Sequence, residues 1–206
     1  MMKIQNKNEE KIQFYFYLNN KEIMFEKEVV VLRIGHRLVR DDRTTTHAIL
    51  VSRAFGSSIM YMTDIDEEIK NTINKVNSSW GGLSEFNLKI IDNWKNLIKD
   101  WKDKEEGKIV HLTMYGRQIN EAINEIKSLK QKILVIIGAE KVPKEVYFLA
   151  DYNISIGNQP HSEIAALAIF LDRLFEGQQF DRGFSDGKME IIPSEKGKTV
   201  IRKEKK

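Results

Sequence analysis

The chain reads as an α/β protein with a largely parallel sheet and helices on both faces, and three observations lead there. Strand-length apolar runs alternate with stretches whose apolar residues recur every three or four positions. That alternation is the rhythm of strand–helix–strand units, whose parallel strands are buried on both sides. With 206 residues, 41% of them hydrophobic, the chain is long enough to close one core of this kind.

The elements follow in order. "EVVVLRI" (Glu28 to Ile34) has a buried-strand pattern; a charged loop and a helical stretch from about Thr45 to Ala54 come next. "SSIMYM" is the second strand. Ile69, Ile73, Val76 and Trp80 share one face of a helix that the pattern starts near Asp64, a residue type suited to capping, and "WGG" stops it. Trp94, Leu97, Ile98 and Trp101 mark a further helix, and "KIVHLTMYG" a strand and turn. Ile119, Ile123, Ile126 and Leu129 form another helical stripe; "KILVIIG" is a strand, "VPKEVYFLA" a short helix with Pro143 near its first turn, and "YNISIG" a strand.

In "GNQPHSEIAALAIFLDRLFEG" Ser162 is placed to cap a helix with Glu163 in its first turn. Ile164, Leu167, Ala168, Leu171, Leu174 and Phe175 form its apolar face, and Gly177 its stop. Beyond it, Met189–Ile192 and Thr199–Ile201 flank "PSEKGK", which predicts an appended hairpin. The organisation expected is an N-terminal extension over 1–27, with Met24 as an alternative start, one domain over 28–180, and a C-terminal hairpin with a basic tail over 181–206.

Composition excludes several classes. No run of about eighteen apolar residues exists, so no transmembrane helix is expected, and the N-terminus lacks the pattern of a secretory signal; a soluble, cytoplasmic protein is expected. Cysteine is absent, which removes disulfides, zinc knuckles and thiol nucleophiles. Four histidines without carboxylates clustered among them in the sequence give a metal site little support, and none is expected. The formal charge is only +3, but "RIGHRLVRDDR" (Arg33 to Arg43) concentrates four arginines and a histidine, and "GKTVIRKEKK" closes the chain. Both are candidate nucleic-acid contacts.

Ligands of open α/β sheets sit at the carboxyl ends of strands. Three loops there carry a glycine beside crowded polar groups: His111–Gly116, Ile136–Val142 and Ser155–Glu163. Glycine admits positive φ and close approach of a ligand to the backbone, so together the loops favour a shared nucleotide-like pocket. G-x-G-x-x-G after the first strand, G-x-x-x-x-G-K-[ST] and G-x-S-x-G are all absent, which removes the usual dinucleotide, P-loop and hydrolase sites. The turn before the Ser162 helix presents Asn158, Gln159 and His161, with Pro160 stiffening it.

The blocks "VVLRIGHRLVRDDRTTTHAILVSRAFG", "VHLTMYG" and "VIIGAEKVPKEVYFLADYNISIGNQPHSEIAALAIFLDRLFEG" closely resemble the archaeal tRNA (cytidine-56) 2'-O-methyltransferases, a family of the SPOUT superfamily. "GAEKVP" followed by "GNQPHSE" is the most specific part. The resemblance implies a SPOUT-type fold with a C-terminal trefoil knot, a homodimer, tRNA as substrate and S-adenosylmethionine as cofactor. It implies that Leu112, then Gly138, Ala139, Glu140, Lys141 and Val142, then Ile156, Gly157, Asn158, Gln159, Pro160, His161, Ser162 and Glu163 line the cofactor. It further implies a catalytic arginine in the first block, for which Arg43 is the candidate, with Arg37 and Arg40 as phosphate contacts. An arginine stays protonated, so its expected role is to anchor charge rather than to take a proton. Two alternatives remain open at this level: another RNA methyltransferase of the superfamily with a different target nucleotide, and a non-catalytic RNA-binding protein that keeps the loops as structure.

Overall fold

The computed structural model describes residues 27–37 and 40–203. The expected N-terminal extension, Met24 included, lies outside them except for Lys27. The elements are β1 (Val29–Ile34), α1 (Asp42–Ala54), β2 (Ile59–Met62), α2 (Glu67–Trp80), β3 (Asn87–Ile90), α3 (Trp94–Asp103), β4 (Lys108–Gln118), α4 (Ile119–Ser128), β5 (Ile133–Gly138), α5 (Lys144–Leu149), β6 (Tyr152–Ser155) and α6 (Glu163–Phe175). A 3₁₀ turn (Gln178–Asp181) and the strands β7 (Met189–Ile192) and β8 (Thr199–Arg202) complete the chain.

Six strands form one sheet in the order β3-β2-β1-β5-β4-β6, and every recorded pairing is parallel. Alternate side chains of β1 divide the core. Val29 and Val31 pack with α1, α2, α4 and α6 on one face, while Val30, Leu32 and Ile34 pack with α3 and α5 on the other. Helices thus cover both faces, as the unbroken apolar runs require. The structure adds β3, which the sequence pattern did not reveal. As an edge strand it has mostly exposed residues and so no buried alternation to betray it. α2 starts at Glu67 rather than near Asp64, because the chain is still extended at Asp66 (φ −65°, ψ 143°). α1 starts three residues earlier than the apolar pattern indicated, with the acidic Asp42 in its first turn.

Ser162 caps α6, accepting from the Ile164 amide at 3.1 Å. The buried stripe of α6 is Ala166, Leu167, Phe170, Leu171, Leu174 and Phe175, which shifts the expected face by one row: Ala168 is only half-buried and Ile164 packs at the margin. β7 and β8 pair antiparallel, Met189 opposite Arg202 and Ile192 opposite Thr199. The segment leading to them is strapped to the α2–β3 corner. The Asp186 carboxylate accepts from the amides of Gly82 at 2.5 Å and Leu83 at 2.8 Å, and the Arg53 guanidinium stacks 4.1 Å from the centre of the Phe184 ring.

β4 is the strand that shapes the carboxyl edge. It pairs with β6 at Val110–Leu112, leaves the ladder for residues 113–116, and pairs again at Arg117 and Gln118. At the end of that excursion Gly116 lies on the β6 backbone. A Cβ there would come within 2.5 Å of the Asn153 carbonyl and the Ile154 amide nitrogen, contacts no flexible side chain can relieve. Gly116→Ala is therefore expected to destabilise the fold by about 2 kcal/mol through overpacking, read as a lower urea midpoint at unchanged slope.

Candidate functional site

β5, β4 and β6 are consecutive in the sheet, so the three glycine-bearing loops at their carboxyl ends lie side by side. The chain leaves β1 towards α1 on one face and β5 towards α5 on the other, although these strands are neighbours. This is the switch point at which open α/β sheets hold ligands.

The first and third loops are tied together through Asn158. Its Nδ2 donates to the Met114 carbonyl at 2.7 Å, and its Oδ1 accepts from Gln118 Nε2. In the third loop Gly157 takes φ +82° and nothing lies within 4 Å of where a Cβ would stand, so its face is open. The amides of Asn158 and Gln159 enter no helix, strand or turn hydrogen bond among the described residues, and the Gln159 side chain is exposed. His161 instead folds back on its own loop: Nε2 lies 2.9 Å from the Ile156 carbonyl and Nδ1 3.0 Å from that of Ser162, so it shapes the turn. Pro160 and Ser162 are also exposed, Ile156 half-buried.

The second loop runs from Gly138 through Ala139, Glu140 and Lys141 to Val142. Gly138 is required by space and not by φ, since a Cβ would meet Val142 Cγ2 at 2.3 Å and the Glu140 carbonyl at 2.8 Å. The Ala139 amide donates to the Ile34 carbonyl at 3.0 Å, which sets this loop beside the arginine loop after β1. Leu112 is 8% exposed and belongs to the apolar core at the start of the first loop. Behind it His111 is buried; its Nδ1 lies 2.8 Å from Asn153 Oδ1 and its ring stands edge-on to Tyr147. Burial pushes the His111 imidazole down, partly offset by the Asn153 hydrogen bond. Tyr147 reaches the first loop through Thr113, 2.9 Å between the hydroxyls.

Of the candidate arginines, Arg40 and Arg43 are exposed and make no side-chain hydrogen bond or ion pair among the described residues. Arg37 is already engaged. It grips Asp41 with Nε at 3.1 Å and Nη2 at 3.0 Å, donates its amide to the same carboxylate at 2.9 Å, and places Nη1 3.9 Å from Glu140. It braces the loop against the second glycine-bearing loop, Gly138–Val142. The Arg37 side chain, then its amide, holds the Asp41 carboxyl down to about 2.

Three features escaped the sequence reading. Arg33 lies inside the apolar β1 with its side chain fully covered. It donates to Thr45 Oγ1 at 2.8 Å and the Gly35 carbonyl at 3.2 Å, and pairs with Glu163 at 3.1 Å. A lone arginine in an otherwise apolar strand was the available signal. Gln118, outside the quoted blocks, and Asn153, inside the third but not singled out there, also hold the loops. The expectation that no carboxylates cluster about a histidine is corrected: folding brings Asp42 and the distant Asp66 to within 3.7 Å and 3.6 Å of His36 Nε2.

This frame is the fold of the TrmH/SpoU methyltransferases. The chain matches an A. aeolicus TrmH/SpoU tRNA modifying enzyme with a TM-score of 0.55 at 15% identity, covering 85% of this chain and 88% of that one. It also matches the SpoU methyltransferase AviRb from Streptomyces viridochromogenes, solved with its cofactor AdoMet, with a TM-score of 0.54 at 13% identity over 76% of this chain and 59% of that one. Within that class the sequence selects one family. The family model described as tRNA ribose 2'-O-methyltransferase, aTrm56, matches residues 80–201. A tRNA (cytidine(56)-2'-O)-methyltransferase of Nitrosopumilus maritimus is 55% identical over 177 residues, 85% of this chain and 97% of that protein. The chain belongs to this family.

Two outcomes follow from the geometry. Glu163→Ala leaves the covered Arg33 charge without its carboxylate, and is expected to lower stability by about 3 kcal/mol in denaturant titration. The Asp41 carboxyl titrates lower in the folded chain than in the unfolded one, so its stabilisation is complete above the ordinary value of 3.8 and is lost as pH falls through about 2. Asp41→Asn should therefore melt earlier than the parent protein at pH 7, with the gap narrowing as the pH of the melts approaches 2.

Proposed function

We propose that this chain transfers the methyl group of S-adenosylmethionine to the 2'-hydroxyl of cytidine 56 in the T-loop of tRNA. The observation that carries the reading is the family's combination of "GAEKVP" and "GNQPHSE" on adjacent loops, beside an exposed arginine pair on the loop after β1 and the start of α1.

The residues fit the cofactor. The open face of Gly157, the unengaged amides of Asn158 and Gln159, and the apolar floor of Leu112 offer a cradle for a nucleoside of this kind. Gly138–Val142 and Ile156–Glu163 would complete it, with Asn158 holding two loops in register. When bound, S-adenosylmethionine supplies a methyl on a sulfonium that leaves as a neutral thioether. The protein's task is then to orient the ribose hydroxyl and exclude alternatives, and positioning supplies most of the rate. Arg43 anchors charge at the reacting ribose or its phosphate, Arg40 contacts a neighbouring phosphate, and Arg37 works through the loop it braces.

The remaining features of the reading concern topology and assembly. The start of α6 is tied to β1 through Glu163 and Arg33, although α6 follows the edge strand β6, and in this reading residues 156–162 pass the carboxyl ends of β4 and β5. Passage of this segment behind the 113–118 excursion of β4 makes the trefoil knot of the fold. Ala165 and Ile169 lie on the exposed side of α6, Ile169 at 42%, and suit a second copy of the chain in a homodimer. Residues 28–180 form the methyltransferase domain, with 181–206 as its appended hairpin and basic tail. No helix among the described residues is long and apolar enough to cross a membrane.

The test is incubation with labelled S-adenosylmethionine and a tRNA transcript. Label is expected in the T-loop cytidine and lost when that nucleotide is replaced; absence of label in any RNA would point to a binding module. Arg43→Ala should cut turnover roughly 100-fold with calorimetric cofactor affinity little changed, as expected for loss of one electrostatic contact at the reacting centre. Asn158→Ala should weaken cofactor affinity first. Near-parental turnover in Arg43→Ala would sink its assignment.

A further inference from the structure

His36, Asp42 and Asp66 come from three places in the fold: the loop after β1, the first turn of α1, and the residue before α2. One ligand atom from each lies within 4.8 Å of the other two. The imidazole is the buried member, its side chain 1% exposed, while the carboxylates of Asp42 and Asp66 are 39% and 34% exposed and open the cluster to solvent.

The two ring nitrogens of His36 meet different surroundings. Nδ1 lies 2.9 Å from Thr45 Oγ1, a hydroxyl that is itself held by Arg33 Nη1 at 2.8 Å. Nε2 points the other way, between the carboxylates, 3.7 Å from Asp42 Oδ1 and 3.6 Å from Asp66 Oδ2. It is buried, and both distances exceed those of a direct hydrogen bond, so this nitrogen is left unsatisfied among the described residues.

We propose that His36, Asp42 and Asp66 bind a divalent transition-metal ion of the Zn²⁺ or Mn²⁺ class, with its remaining positions open to solvent. The donor set is one imidazole nitrogen and two carboxylate oxygens, which suits these ions better than the all-oxygen sites of Mg²⁺ or Ca²⁺. Bonds of about 2.1 Å space the ligands of a tetrahedral ion about 3.4 Å apart, so the His36 edges need to close by only a few tenths of an ångström. Two carboxylates balance the ion's charge. With the proton on Nδ1, Thr45 Oγ1 accepts it and the Nε2 lone pair turns to the metal, the usual supporting contact of a metal-bound histidine.

The ion would tie the loop that carries Arg37 and Arg40 to the start of α2, an ordering role separate from cofactor binding. The site does not depend on which nucleotide the protein methylates.

The experiment titrates chelator-treated full-length protein with ZnCl₂ and with MnCl₂ by calorimetry, and with Co²⁺ by visible absorption. One ion per chain with micromolar affinity is expected, with a rise in melting temperature on saturation. Asp66→Asn and His36→Gln should each weaken binding tenfold or more and abolish the thermal shift. Asp66 makes no side-chain cap to α2, so Asp66→Asn leaves the helix intact, which circular dichroism checks. Absence of saturable binding to the parent protein overturns the proposal. Equal affinity in parent and Asp66→Asn overturns it as well, because the ion then sits elsewhere.

Discussion

The covered guanidinium of Arg33 is the constraint from which the site follows. A cation inside an apolar strand is tolerable only when paired and hydrogen-bonded. Thr45, the Gly35 carbonyl and Glu163 meet that demand at the two Nη nitrogens from three different segments, and the buried Nε is left without a hydrogen bond among the described residues. Because Glu163 opens α6, the ion pair ties that helix start to β1, while the body of the helix packs over β4 and β5. The chain arrives from β6, at the edge. The segment between, residues 156–162, leaves the carboxyl end of β6, and Asn158 joins it to the loop of β4.

The same end of the sheet is braced a second time across the switch point. The Ala139 amide on the Ile34 carbonyl holds the start of the GAEKVP loop to the end of β1, and Arg37 links Asp41 to the vicinity of Glu140. Arg37 is therefore occupied in holding the loop, while Arg40 and Arg43 stay exposed. Three arginines that look equivalent in sequence divide into one brace and two available charges.

Much of the frame was legible in the chain. The runs at Val29–Ile34 and Ile133–Gly138, the stripes of α2 and α4, the Ser162 cap and the terminal hairpin all express local periodicity or capping chemistry, which a short window contains. The strand β3 was not legible, because an exposed edge strand lacks the burial that creates a pattern. Nor was the shifted buried face of α6, where apolar residues surround the helix and only its neighbours decide which of them are covered.

The candidate site divides along the same line. The sequence by itself determined the identities: which loops bear glycine and polar groups, which arginines cluster, and the motif pair that marks the family. Only the tertiary structure decided the partnerships, such as Glu163 with Arg33, Asn158 with Met114 and Gln118, and Asp66 with His36. The physical reason is that each joins residues 30 or more positions apart, through a sheet whose strand order differs from chain order, so no local pattern records them.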